Sequence, residues 1–310
     1  MKKYCFIVIF ILLDIIFIQK IYAQQLPQFS LYQLDDLVFN PAVLGTKEND
    51  QITLHHRSQW LGFEGAPITQ VLSYNGKLQG NMGLGGYLMH DITGASRRLS
   101  FNIGYAYNFA ISSKTMVSLG LLGTLMQYGI DGDKVTIHEM NDPSLYQGYS
   151  DRAWKPDVSI GSYVKGKDFF VSLSVMQLFT SRVRLFKNED FTAIVPLVQH
   201  FYVASGYDIN VDDNVSVEPI ISMHSTLSSP LQFDITMRGN YNNMFFGSLT
   251  YRYNDAILLS FGALIKDKVK VAYAYDLLIS DLRTTNSGSH EIVITILLSK
   301  KSKRSSFFRR

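Results

Sequence analysis

From Leu99 to Phe109 the chain reads Leu-Ser-Phe-Asn-Ile-Gly-Tyr-Ala-Tyr-Asn-Phe, with a large apolar residue at every odd position and a small or polar one at every even position. Period two puts the large side chains on one face of a strand and the small ones on the other. Ordinary core packing does not require such a split. The same dyad recurs along nearly the whole chain, and it suits a membrane-spanning β-barrel, whose strands are apolar towards lipid and polar towards the lumen.

The N-terminus has the layout of a secretory leader. Lys2 and Lys3 form a charged start, Tyr4 to Ile18 an apolar run, and Ile21-Tyr22-Ala23 a cleavage site before Gln24. Residues 1–23 are therefore read as a signal peptide, the apolar run being too short for a membrane span. Cys5, the only cysteine, falls within it, so the mature chain is expected to have no disulfide, thiolate metal site or cysteine nucleophile. The formal charge is +3, and losing Lys2, Lys3, Lys20 and Asp14 with the leader takes away a net +2 and leaves +1. Nothing in that balance marks a nucleic-acid binder. The one basic cluster is the tail 300–310, read as a solvated end.

Runs with strand character lie near residues 50–58, 68–77, 82–90, 97–110, 114–130, 155–165, 167–177, 198–210, 214–224, 230–240, 243–253, 255–266, 268–277 and 290–299. They number about fourteen, and bacterial single-chain barrels need an even number. The expected fold is all-β: a transmembrane antiparallel barrel of about 14 strands over residues 47–299. Loop lengths supply an independent test, because such barrels have short turns on the periplasmic rim and longer loops outside. Every second gap is tight (78–81, 111–113, 166, 211–213, 241–242 and 267), whereas the gaps between them include the long ones, 59–67, 131–154, 178–197 and 278–289, with Asn254 the exception.

Charges follow the same parity. Asp234 and Arg238 oppose Leu231, Phe233, Ile235 and Met237, and Lys270 and Asp276 oppose Val269, Val271, Tyr273 and Tyr275. A Lys or Arg facing lipid at the midplane would cost about 2–4 kcal/mol, so these residues are expected to face the lumen. Pro219 cannot donate to a ladder, which predicts a bulge or strand end there.

No catalytic or metal constellation emerges, and no cofactor is expected. His138-Glu139 and His290-Glu291 lack the second histidine of a zinc helix, and a strand sends His290 and Glu291 to opposite faces, as it does His55 and His56. Gly83-Leu84-Gly85-Gly86 lacks phosphate-loop spacing; its small residues instead let a strand curve or pack closely.

The segment after the leader reads Leu-Pro-Gln-Phe-Ser-Leu-Tyr at 26–32 and Phe-Asn-Pro-Ala-Val-Leu-Gly-Thr at 39–46. Arg57-Ser-Gln-Trp60-Leu-Gly-Phe63-Glu-Gly-Ala-Pro67 follows, with further blocks at 90–94, 104–107, 119–121, 272–276 and 288–292. This resembles the PorP/SprF family of Bacteroidetes outer-membrane proteins, associated with type IX secretion and gliding motility. The resemblance spans residues 26–293, and the block from Arg57 to Pro67 is its most specific part.

The resemblance implies a non-enzymatic component of a Gram-negative outer membrane. Such a component works with type IX secretion proteins to export or retain particular cargo, often large adhesins with a C-terminal sorting domain. The competing reading, a passive channel or transporter of hydrophobic substrates, is equally compatible with the fold. Residues 24–46 lack strand alternation yet carry Phe29, Tyr32, Leu37 and Phe39. They are therefore expected to plug the barrel or dock a partner. Phe29, Tyr32, Phe39, Trp60 and Phe63 are the candidate contacts, with Trp60 and Phe63 as a rim anchor, lumen plug or cargo contact.

Overall fold

The structure, a computed structural model, describes residues 26–134, 150–186, 192–226 and 229–298. The leader, the basic tail, the His138-Glu139 pair and parts of two long loops lie outside the described residues.

The first strands are β1 (Asp50–Ser58), β2 (Ile68–Lys77), β3 (Met82–Thr93), β4 (Ser96–Ala110), β5 (Met116–Ile130), β6 (Asp151–Lys165) and β7 (Phe169–Met176). Next come β8 (Arg182–Leu185), β9 (Ala193–Pro196), β10 (His200–Tyr207), β11 (Ile209–Asn210) and β12 (Val215–Thr226). The last are β13 (Gln232–Tyr241), β14 (Phe245–Arg252), β15 (Ala256–Ile265), β16 (Val269–Leu278) and β17 (Ser289–Leu298). All pairings are antiparallel between sequence neighbours in the wall, β1 joins β17, β7 joins β10 past the β8–β9 hairpin, and β10 joins β12 past β11. Leaving out β8, β9 and the two-residue β11, the closed wall has fourteen strands. Closure joins the first strand to the last and leaves no wall strand at a free edge of the sheet, as a span through hydrocarbon requires. The described helical segments are short 3₁₀ turns.

The dyad of β4 has the expected register: Phe101, Ile103, Tyr105, Tyr107 and Phe109 are exposed, whereas Ser100, Asn102, Ala106 and Asn108 are buried. Asp234 and Asp276 lie buried on the inner face. The connections 59–67, 131–150, 177–199 and 279–288 all leave from one end of the barrel; the opposite end carries only tight turns.

At Pro219 the expected bulge or strand end is absent. β12 runs through it in unbroken register with β13, Pro219 facing Met237. The interruption falls on the neighbouring strand: Gly206 pairs with Ile220 and Ile209 with Val217, so the ladder lapses beside Pro219 and separates β10 from β11. A proline that cannot donate is accommodated by a gap in its partner.

Candidate functional site

Residues 26–46 lie inside the barrel. The segment has two 3₁₀ turns, Asp36–Val38 and Pro41–Val43, and its Phe29, Leu31, Leu37, Val38, Ala42, Val43 and Leu44 are all buried. Leu31 packs on Ala272, Ala274 and Val293, and the others pack on inward wall residues including Val71, Tyr87, Met89, Ala106, Leu122, Tyr163 and Met176. A small-residue inner face cannot fill a fourteen-stranded lumen by itself. The chain's own N-terminal apolar residues occupy much of it.

Glycines let the segment approach the wall. Gly83 and Gly85 on β3, Gly104 on β4, Gly120 on β5 and Gly161 on β6 form a bare track under residues 40–45. A Cβ on Gly104 would lie 2.8 Å from Leu44 Cδ1, and one on Gly120 would lie 2.6 Å from Ala42 Cα. At Gly83 and Gly161 the obstructing groups are the Leu44 carbonyl and the Asn40 side chain. Gly45, at φ +71°, turns the chain away in a conformation that favours glycine.

Amide side chains lock this turn. Asn40 Nδ2 donates to Ser162 O (2.9 Å) and Ser172 Oγ (2.8 Å), while its Oδ1 accepts from Ala42 N (2.8 Å). Asn75 accepts from Gly45 N (2.9 Å) and donates to Val43 O (3.2 Å), and Asn108 donates to Leu44 O (3.3 Å). The irregular backbone, which sheet pairing cannot satisfy, finds its partners in wall asparagines.

A buried charge network near the long-loop end holds the other half. Arg57 on β1 donates to Glu291 Oε2 on β17 (2.7 Å) and to Asp276 Oδ2 on β16 (2.7 Å), and His55 Nε2 lies 2.8 Å from Glu291 Oε1. Arg252 on β14 extends the network to Asp234 (3.2 Å) and Asp276 (3.8 Å). The luminal segment enters through its backbone: Ser30 N and Leu31 N donate to the two Glu291 oxygens at 2.8 and 2.6 Å. Ser30 Oγ donates to Asp276 (2.7 Å) and accepts from Arg57 (2.8 Å). Glu291 thus bonds four groups, which is how a buried carboxylate stays charged.

Between these two fixings, Asp35 donates nothing and accepts from Ser73 Oγ at 2.8 Å, while its Oδ2 has no partner among the described residues. Burial pushes its carboxyl up to about 6, against the lowering pull of His55.

Three of the candidate contacts meet in the lumen. Phe29 packs edge-on against Phe39 (centroids 5.8 Å apart), and Tyr32 does the same (6.1 Å). Phe39 continues to Tyr202 (4.9 Å), and Phe29 sits 4.3 Å from the His55 ring. Trp60 and Phe63 lie elsewhere. Trp60, at φ +53°, packs at the long-loop rim on Ala256, Leu258 and Leu278, and Phe63 is exposed. The five residues form no single patch.

The filling leaves a cavity of about 330 Å³ between the segment and β6, β7, β10, β12 and β13, bounded by Phe39, Tyr202, Glu218 and Arg238. Arg57, Glu291 and the glycine track are the features that sequence reasoning passed over as a site. Their inward parity was readable, but the segment they grip was not. Among the described residues no cluster of three or more His, Cys, Asp or Glu could hold a metal ion.

A closed antiparallel barrel with an apolar outer surface and a polar, internally packed lumen is an outer-membrane β-barrel protein. The family model described as "Type IX secretion system membrane protein PorP/SprF" matches residues 21–296, and the chain belongs to that family. It is thus an outer-membrane barrel of the type IX secretion system. No curated protein sequence matches it.

Similar solved structures include a Pseudomonas aeruginosa FadL homologue, 9% identical with TM-score 0.49, covering 84% of this chain and 92% of that one. The Pseudomonas putida toluene transporter TodX is 11% identical with TM-score 0.44, covering 90% of this chain and 94% of that one. The Acinetobacter baumannii outer membrane protein Omp33 is 8% identical with TM-score 0.47, covering 82% of this chain and all of that one.

Proposed function

We propose that this barrel is a non-catalytic docking element that helps particular cargo leave the cell or stay at its surface, and that residues 24–46 act as its lumen plug. The single observation that carries this reading is the double fixing of the luminal segment. Asn40 to Gly45 is seated on the glycine track, and Ser30 and Leu31 are held by Glu291. A lumen built to pass solute freely has no use for a wall shaped to hold a filler.

Short turns would face the periplasm and long loops the exterior. The wall would supply position and the loops the contacts. The cargo class that fits a type IX component is a secreted protein with a C-terminal sorting domain, such as a gliding adhesin, met together with other secretion components in a lipid bilayer.

The test compares a strain lacking residues 26–40 with a full knockout, scoring surface display of the cognate adhesin, while the purified proteins are assayed for conductance. The proposal expects the deletion protein to remain a heat-modifiable barrel, to conduct more than wild type, and to fail in display. If the knockout leaves all type IX cargo unaffected but blocks uptake of a small solute, the channel reading replaces it.

A further inference from the structure

We propose that the outer surface of β3–β6, at the long-loop rim, is a binding site for the phosphorylated head group of an outer-leaflet glycolipid. Strand register sets out the surface in rows. Leu88, Phe101, Leu125 and Pro156 form one outward row, and His90, Leu99, Gln127 and Trp154 form the next. Ile92, Arg97, Gly129 and Arg152 form the third. The first row is exposed hydrocarbon at Leu88, Phe101 and Leu125. Trp154 leans on Phe101 with centroids 6.1 Å apart, as an aromatic at the edge of an apolar belt does. One row separates the belt from a pair of arginines.

Between those arginines is a pocket of about 230 Å³, lined by His90, Arg97, Leu99, Gln127, Gly129 and Arg152, with Arg98, Ile130, Asp131 and Ser150 also on its walls. Gly129 makes the hollow. A Cβ there would lie 2.9 Å from Arg152 Cγ, so the Arg152 stem lies across bare backbone where any other residue would intrude.

Charge decides the ligand. Asp131 Oδ2 pairs with Arg97 Nη2 at 2.5 Å, and the Arg97 Nε is buried with no partner among the described residues. Arg152 makes no ion pair among the described residues. Asp151, next to it, directs its carboxylate to the backbone N–H groups of Arg152 and Phe186. Among the described residues, the Arg97 and Arg152 guanidiniums thus have one ion-paired carboxylate between them, Asp131 on Arg97. Arginine forks match phosphate oxygens in bidentate fashion, and a phosphate at this height would place its acyl chains down the Leu99–Phe101–Trp154 surface. A free anion would gain the first contact and not the second.

The experiment uses full-length protein, delipidated in mild detergent and followed by native mass spectrometry. Diphosphorylated lipid A, dephosphorylated lipid A and inorganic phosphate are added in turn. Wild type is expected to retain phosphorylated lipid A at least tenfold more tightly than the dephosphorylated form. The combined Arg97→Ser and Arg152→Ser variant should lose that preference. Gly129→Leu, which fills the hollow and keeps both guanidiniums, should lose it too, and heat-modifiable mobility checks that each variant is folded. Equal retention by wild type and both variants, or no preference for the phosphorylated lipid, overturns the proposal. Binding of inorganic phosphate alone, with equal displacement of both lipids, also overturns it and leaves a free-anion site.

Discussion

Gly120→Ala is the sharpest perturbation of the lumen, because one methyl group meets backbone that has nowhere to go. The added Cβ would lie 2.6 Å from Ala42 Cα, well inside van der Waals contact, so the turn at residues 41–44 must withdraw from the wall. Val43 and Leu44 are fully buried in that turn. Burying such a side chain is worth about 1.5–3 kcal/mol, so full withdrawal of both forfeits about 3–6 kcal/mol. At about 1.4 kcal/mol per tenfold, the docked population falls by about two to four powers of ten. Gly123→Ala is the matched control: it lies on the same strand, faces outward, and its Cβ would find only Ile103 O at 3.9 Å. Both proteins should remain heat-modifiable barrels, since alanine suits a strand at least as well as glycine. Only Gly120→Ala should show rapid cleavage of the N-terminal segment by added protease and a raised single-channel conductance. If Gly120→Ala is as protease-resistant and as quiet as Gly123→Ala, the glycine track is not what seats the segment.

Three further outcomes follow from other contacts. Glu291→Gln removes the charge that Arg57 and His55 share with the Ser30 and Leu31 amides, and breaking a buried pair costs about 3–5 kcal/mol. The temperature of the heat-modifiable shift should fall further in this variant than in Ser30→Ala, which deletes only a hydroxyl; the reverse ranking would refute the network. Asp35, raised to about 6 by burial, favours its neutral form when docked, so docking is strongest below the ordinary carboxylate range and weakens as pH rises through 6. N-terminal proteolysis should therefore be slower at pH 5 than at pH 7.5, and Asp35→Asn should flatten that difference, with Ser73, Asp36, Lys47 and His55 left in place. Finally, cysteine at Phe101 should react with a lipid-phase reagent and cysteine at Asn102 should not, because one is exposed outward and the other buried inward; equal reaction would contradict the register.

The wall was legible in the sequence because its physics is local. A two-residue period, read against lipid on one side and a polar lumen on the other, fixes strand identity, register and the facing of Asp234 and Asp276. Counting the runs gives about fourteen strands, and the alternating loop lengths agree with that architecture. Pro219 was misread because a missing donor can be absorbed by the neighbouring strand, and the neighbour is set by pairing, not by the proline's own sequence. The lumen was decided by tertiary structure alone. Ser30, Arg57, Asp276 and Glu291 are brought together only when the last strand closes on the first, joining groups up to 261 residues apart. The glycines at 83, 85, 104, 120 and 161 look like scattered small residues along the chain, and they become a single track only when four adjacent strands stand side by side. Periodicity along one strand carries no information about what presses against it from across the barrel.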